Sequence, residues 1–207
     1  MKSILNPLMS LMTGGPSLPA GVHAPDVGAG SSAPGIVSRA AATEISDIAL
    51  RDKDLPFIGT EETFSTRELM TLNNRLFLEK TGLAEIGPRR IAAMDEAGIN
   101  VQILSAHTPG VQNVPGQEGI DFAYRLNKML VDGPMAAYPG RFQAFATLPL
   151  LDPEASADEL ERTVRDDGFV GCLTNGIIGK RFLDHPDFEP VLARAEALDV
   201  PIYLHPG

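Results

Sequence analysis

Cysteine is almost absent from this sequence: Cys172 is the only one among 207 residues. A single thiol excludes an internal disulfide and a cysteine-rich zinc cluster. Because Cys172 lies in the apolar run Phe169–Leu173, we expect it to be a small buried hydrophobic side chain. Basic residues are also scarce, with 17 Lys and Arg against 27 Asp and Glu, and they form no cluster. The resulting net charge of -10 argues against a nucleic acid as partner.

Long apolar runs are lacking as well. No stretch approaches the roughly 18 apolar residues that a membrane-spanning helix needs, so we expect no membrane partner. Residues 1–12 carry one Lys and are interrupted by Asn6 and Pro7. That pattern makes a poor signal peptide and favours a cytoplasmic protein. Apolar residues still make up 43% of the chain, which is enough for one domain with a substantial core.

Two regions differ in composition. Residues 1–54 include Gly14–Ser17 and Gly28–Gly35 and are rich in Gly, Pro and Ser. Such a composition buries too little apolar surface to offset chain entropy, so it predicts a mostly disordered tail. Between residues 55 and 207, short apolar runs alternate with amphipathic runs, and this region is the predicted folded domain.

The folded region contains five predicted strands, with a helix after each of the first four. The strands are Leu55–Thr60, Asn100–Ala106, Arg141–Leu148, Phe169–Thr174 and Val200–Leu204. They are short and mostly apolar, as parallel strands covered on both faces are. Such units build either an open doubly wound sheet or a (β/α)8 barrel. No glycine-rich dinucleotide turn follows the first strand, which weakens the case for a nucleotide-binding sheet. A full barrel needs three more units, roughly 100 residues.

Specific residues mark the expected ends of helices and loops. Gly98 is expected to end a helix, and Asp152 and Pro153 are expected to cap and begin another. Pro134 is expected to kink a long helix near its end. The segment Asn175–Gly179 is rich in glycine and is expected to be a loop after the fourth strand.

Polar residues lie at the predicted carboxyl ends of four strands: Glu61, His107, Asn175 and His205. In a barrel these ends surround one mouth, where active sites lie. A carboxylate and an imidazole suit zinc or manganese, so Glu61 and His205 are candidate metal ligands. His205 could equally be a structural histidine, and His107 a loop histidine without a direct role. Glu62 should point to the opposite side of the strand from Glu61.

Four segments of the sequence resemble the amidohydrolase-related family, and within it the branch of aromatic-acid decarboxylases. They are Thr60–Phe64 (TEETF), Arg89–Ile99 (RRIAAMDEAGI), Thr108–Gln112 (TPGVQ) and Pro201–Pro206 (PIYLHP). The resemblance implies that the chain forms the first five strand-helix units of a (β/α)8 barrel with one divalent metal ion, zinc or manganese, at its mouth. It also implies that Glu61 and His205 are ligands of that metal.

The chain departs from the family pattern in two respects. Many members have Glu-x-His in the first motif, whereas this chain has Thr63 at the position of that histidine. Members with a small residue there exist, so the metal could bind with one ligand fewer. Members also supply a later catalytic histidine and a metal-binding aspartate. We therefore expect the catalytic residues beyond Gly207 and a chain truncated at its C-terminus.

The resemblance implies a function for the full-length relative: metal-dependent, non-oxidative decarboxylation of a hydroxylated aromatic carboxylic acid. The expected partners are a small aromatic acid and, at full length, further copies of the same chain in a homo-oligomer. Asn175 and the loop from His107 to Gln112 are expected to line the substrate pocket. One alternative is a metal-dependent hydrolase of an amide or lactone on the same fold. Another is a catalytically incomplete fragment.

Overall fold

The computed structural model describes residues 55–72 and 81–206, without the side chains of residues 71 and 72. The predicted disordered tail, residues 1–54, lies outside this part of the chain. The strands are β1 (Ile58–Phe64), β2 (Val101–Ala106), β3 (Phe142–Ala144), β4 (Cys172–Asn175), β5 (Ile177–Ile178), β6 (Arg181–Phe182) and β7 (Ile202–His205). The helices are α1 (Arg67–Leu72), α2 (Pro88–Ala97), α3 (Gly116–Leu130), α4 (Pro153–Arg165) and α5 (Glu189–Leu198). No described helix is long and apolar enough to cross a bilayer.

The larger strands are parallel and lie side by side in chain order. β1 pairs with β2, and β2 pairs with β3. A parallel bridge between Ala146 and Cys172 connects the end of β3 to β4, which pairs in turn with β7. The order β1-β2-β3-β4-β7, with helices in the connections, is that of the first five strands of a (β/α)8 barrel. The predicted alternation of strand and helix is confirmed.

The hydrophobic core lies between the strands and the helices that cover them. Phe122, Leu126 and Leu130 of α3 are spaced four residues apart, so they form one apolar face that packs on the sheet. The other large buried side chains include Phe64, Leu104, Phe142, Leu160, Phe188 and Val191. Burial of each such side chain stabilises the fold by about 1.5–3 kcal/mol.

The predicted markers of helix ends are confirmed. Gly98 follows α2 with a φ of 71°, a left-handed conformation that glycine adopts without strain. Asp152 caps α4, because its side chain accepts a hydrogen bond from the backbone N–H of Ala155 at 3.1 Å, and Pro153 is the first helical residue. Pro134 lies in a π-helical turn, Val131–Met135, that continues α3.

The first strand is longer than predicted. The sequence pattern placed its end at Thr60, but β1 continues to Phe64. The register of β1 against β2 shifts between Gly59 and Glu62, which indicates a bulge with one extra residue. Because the bulge absorbs that residue, pairing with β2 continues past it. Glu61 therefore lies within the strand, and the prediction that it follows the carboxyl end is wrong.

Two further segments differ from the prediction. β3 covers less than the predicted Arg141–Leu148, because the chain changes its pairing partner there: Phe145 donates to Leu104 on β2, whereas Ala146 donates to Gly171 beside β4. The predicted glycine-rich loop after the fourth strand contains β5, which pairs with β6 as an antiparallel hairpin. This hairpin extends from the same end of the sheet as the carboxyl ends of β4 and β7.

Candidate metal centre

The two predicted metal ligands meet in the structure. Glu61 reaches from β1 and His205 from β7, and Oε1 of Glu61 lies 3.3 Å from Nε2 of His205. The second carboxylate oxygen of Glu61 accepts a hydrogen bond from the hydroxyl of Tyr203 at 2.7 Å. Tyr203 precedes His205 by two positions on β7, so both side chains point to the same face of the sheet.

The ring of His205 is oriented by its other nitrogen. Nδ1 lies 2.7 Å from the carbonyl oxygen of Pro206. Because a carbonyl oxygen can only accept a hydrogen bond, an N–H at Nδ1 would donate to it, and Nε2 is the ring nitrogen that faces Glu61. A backbone carbonyl that fixes a histidine in this way is typical of metal-binding imidazoles.

The donor set suits a divalent metal ion. Zinc ligands of this kind bind at about 2.0–2.2 Å, so two donors on one ion lie roughly 3 to 3.5 Å apart. The Glu61–His205 separation of 3.3 Å falls in this range. Within residues 55–72 and 81–206, no group of three or more His, Cys, Asp and Glu side chains could hold a metal ion. In this part of the protein, Glu61 and His205 are therefore a pair of candidate ligands.

Thr63 occupies the position where the family motif often has a histidine. It follows Glu61 by two positions after the bulge, so it lies on the same side of β1, and it pairs in register with Ser105 of β2. Its hydroxyl replaces an imidazole nitrogen that could coordinate a metal. The departure seen in the sequence therefore lies beside the candidate metal ligands.

Glu62 points away from this site, as predicted. Its carboxylate accepts a hydrogen bond from the side chain of Gln102 at 2.8 Å and lies 4.0 Å from the guanidinium of Arg90. Arg90 also donates to the backbone carbonyl of Thr63 at 2.9 Å. Burial lowers the pKa of Arg90, partly offset by the nearby carboxylates of Glu62 and Glu85. These contacts attach the start of α2 to β1 and give Glu62 a structural role.

Asn175 lies next to His205. The two residues are register partners at the ends of β4 and β7, so their side chains share a face of the sheet. The side-chain oxygen of Asn175 is buried and has no hydrogen-bond partner among the described residues. A buried acceptor without a donor is costly, and a hydroxyl group of a ligand would satisfy it.

His107 follows β2 directly at the same end of the sheet and is half-buried. Its backbone N–H donates to the carbonyl of Phe64 at 2.8 Å, which extends the pairing of β1 and β2 by one step. In the described part of the chain, no hydrogen bond or ion pair joins His107 to Glu61 or His205. The structure thus places His107 beside the mouth without joining it to the metal ligands.

One residue of the site was not predicted from the sequence. Tyr203 forms the hydrogen bond to Glu61 and packs against Phe145, with ring centroids 5.7 Å apart. The hydrogen bond from Tyr203 to Glu61 is the main cause that raises the pKa of the phenol. Strand alternation could have identified Tyr203, since it lies two residues before His205. Gln112 ends the loop that was predicted to line the pocket, but its burial was not predicted.

The sequence profile of the Amidohydrolase family matches residues 79–207, and the chain belongs to this family. Among its relatives, gamma-resorcylate decarboxylase of Rhodococcus jostii (strain RHA1) is 43% identical over 167 residues, covering 72% of this chain and 50% of that protein. The chain spans about half the length of the curated relatives it matches. The predicted family is confirmed.

Solved structures agree with this assignment. 5-Carboxyvanillate decarboxylase of Novosphingobium aromaticivorans, solved with manganese and 4-hydroxy-3-methoxy-5-nitrobenzoic acid, matches with a TM-score of 0.68 and 32% identity, over 75% of this chain and 51% of that one. Dihydroxybenzoic acid decarboxylase of Polaromonas sp. JS666, solved with manganese and 2-nitroresorcinol, matches with a TM-score of 0.66 and 38% identity, over 73% and 49%. The five parallel strands are part of a (β/α)8 barrel, as predicted.

Proposed function

We propose that this chain takes part in the non-oxidative decarboxylation of a hydroxylated aromatic carboxylic acid, at a site with one divalent metal ion. The observation that carries the proposal is the pair of Glu61 on β1 and His205 at the carboxyl end of β7, whose donor atoms lie 3.3 Å apart. Relatives with 43% and 38% identity are decarboxylases of such acids. Manganese is the favoured ion because the solved relatives contain it, and zinc is the alternative.

Each residue of the site has a role in this proposal. Glu61 and His205 would hold the ion, which would supply the positive charge that orients the carboxylate and neighbouring phenolic oxygen of the substrate. Asn175 offers its unpaired side-chain oxygen to a substrate hydroxyl. Tyr203 and Phe145, in contact with each other, provide an aromatic surface beside the ligands. His107 lies at the rim and contributes to the pocket wall.

The test compares the full-length protein with the 207-residue chain, each with Mn²⁺, and measures release of CO2 from 2,6-dihydroxybenzoate. In the full-length protein, which supplies the expected later catalytic residues, we expect release that depends on the metal and is lost in Glu61→Gln, which keeps the shape of the side chain and removes its charge. Hydrolysis of an aromatic lactone in place of CO2 release would instead support a hydrolase on this fold. Mn²⁺ binding without either reaction would support a catalytically incomplete chain.

Other properties remain predictions with separate tests. We propose a homo-oligomer for the full-length protein, a cytoplasmic location, a disordered tail over residues 1–54 and a barrel portion over residues 55–207. Analytical ultracentrifugation, cell fractionation and limited proteolysis test these points. The proteolysis prediction is specific: cleavage should be confined to the tail and should leave a resistant product that begins near residue 55.

A further inference from the structure

Glu61 is a weakly packed side chain for a metal ligand. Its side chain is 47% exposed, so neighbouring atoms do not by themselves fix its torsions. An unrestrained glutamate loses side-chain entropy whenever it is fixed in one geometry, and that loss weakens metal binding. Thr63, on the same side of β1, supplies no imidazole to share the coordination. The orientation of Glu61 therefore matters more here than in a site with an additional histidine.

Tyr203 provides that orientation. Its hydroxyl donates to Oε2 of Glu61 at 2.7 Å, which leaves Oε1 as the oxygen that faces Nε2 of His205. We propose that Tyr203 is a positioning residue for the metal site, which presents Glu61 to the ion through a single, predetermined oxygen. The inference rests on the proposed metal-dependent function, since it concerns the same site.

The position of Tyr203 is itself fixed by the fold. It lies between Ile202 and Leu204 on β7, pairs in register with Leu173 of β4, and packs its ring against Phe145. Because Tyr203 and His205 belong to the same strand, the distance between the phenol and the imidazole is set by the strand itself. One strand thus contributes both a ligand and the group that orients the other ligand.

The test removes only the hydroxyl. In Tyr203→Phe the ring remains against Phe145, so the packing is retained while the hydrogen bond to Glu61 is lost. Binding of Mn²⁺ to the full-length protein, which supplies the expected metal-binding aspartate, is measured from the electron paramagnetic resonance signal of the free ion. We expect the dissociation constant to rise about 10- to 100-fold, as is typical when a group that orients a metal ligand is removed. The matched control is Tyr138→Phe, at a tyrosine that packs edge-on against Phe142, and it should bind as the wild type does.

A second variant shows whether Tyr203 acts through Glu61. Glu61→Asp shortens the side chain and takes the carboxylate out of reach of the phenol. If Tyr203 acts by orienting Glu61, Tyr203→Phe should cause little further loss of Mn²⁺ affinity in this background. Additive losses in the double variant, or an unchanged affinity in Tyr203→Phe alone, would overturn the inference. Failure of the wild-type chain to bind Mn²⁺ would overturn the metal site itself and the proposed function with it.

Melting temperatures without metal separate positioning from folding. Tyr203→Phe should melt close to the wild type in the absence of Mn²⁺, since only a partly exposed hydrogen bond is lost. A large drop in the metal-free melting temperature of Tyr203→Phe would show that the substitution disturbs the fold. The loss of Mn²⁺ affinity would then follow from packing, and the inference would be overturned.

Discussion

The side-chain oxygen of Gln112 accepts a hydrogen bond from the backbone N–H of Asn175 at 2.9 Å, although the two residues lie 63 positions apart. The same side chain accepts from the hydroxyl of Thr174 at 3.3 Å and donates to the carbonyl of Ile177 at 3.0 Å. Gln112 is only 4% exposed, so these bonds form away from solvent. One buried amide thus connects the loop that carries His107 to the strand end that carries Asn175.

Replacing Gln112 by alanine should destabilise both the loop that carries His107 and the end of β4 that carries Asn175. The change leaves the N–H of Asn175 and the carbonyl of Ile177 without their partner, at a cost of about 1–3 kcal/mol for each group that stays buried. We expect a lower free energy of unfolding in urea and faster amide hydrogen exchange in both segments. Gln117→Ala is the control, because that exposed side chain contacts only Asp121 of its own helix. Equal effects of the two substitutions would contradict the prediction.

The phenol of Tyr203 should lose its proton at a higher pH than an ordinary tyrosine. The hydrogen bond to Glu61 is the main cause that raises its pKa, with burial and the charge of Glu61 adding to it. A raised folded-state pKa means that the stabilisation is complete below the ordinary tyrosine value, about 10, and is lost as the pH rises through the folded value. The chain has three tyrosines, so ultraviolet titration should resolve one late step.

Glu61→Gln identifies that step. The amide carries no charge, so the late-titrating phenol should move back towards the ordinary range in this variant. If the ultraviolet titrations of the wild type and Glu61→Gln coincide, the hydrogen bond between Tyr203 and Glu61 does not exist in solution.

Thr63→His should increase the affinity for Mn²⁺. Position 63 lies on the same side of β1 as Glu61, so the new imidazole would add a third ligand to the two that the structure brings together. We expect the dissociation constant, measured by titration calorimetry, to fall by roughly tenfold or more. Glu118→His, on the exposed surface of α3, controls for a histidine outside the site. An unchanged affinity would show that position 63 does not face the ion.

Cys172 should be unreactive in the folded protein. Its side chain is 1% exposed within the core, and burial raises the pKa of the thiol to about 12. The reactive thiolate is therefore scarce at neutral pH, and reagents have no access to it. Labelling with a chromogenic disulfide should be slow in buffer and complete within the mixing time in denaturant. Rapid labelling of the folded chain would contradict the predicted burial.

Sequence patterns were reliable where one local feature decides the structure. Gly98 and Asp152 were recognised because helix ends depend on a few neighbouring residues. Glu61 and His205 were paired correctly because the strands of a barrel converge on one mouth, although Glu61 lies within β1 and not at its carboxyl end. The length of β1 was not predicted, since the bulge near Glu61 depends on the register against β2, a separate strand.

Two other features were missed, one for lack of a local signal and one for lack of length. Gln112 is polar and lies in a loop, which predicts exposure, but its three partners lie more than 60 positions further along the chain. The hairpin of β5 and β6 was missed because Asn175–Gly179 contains glycines typical of a loop, and two-residue strands are too short to show alternation. Only for Gln112 do the deciding partners lie outside a local window of sequence; the hairpin is local but too short to leave a pattern.

The hydrogen bond between Tyr203 and Glu61 closes a loop of 142 positions. Contacts of such long range are entropically expensive to form and contribute to slow folding. The candidate metal site therefore forms only when β1 and β7 are brought together by the parallel strands that pair between them. Metal binding would therefore be coupled to folding, as it is wherever the ligands come together only in the folded chain. A substitution deep in β2 or β3 that touches no ligand should weaken metal retention as surely as one beside Glu61.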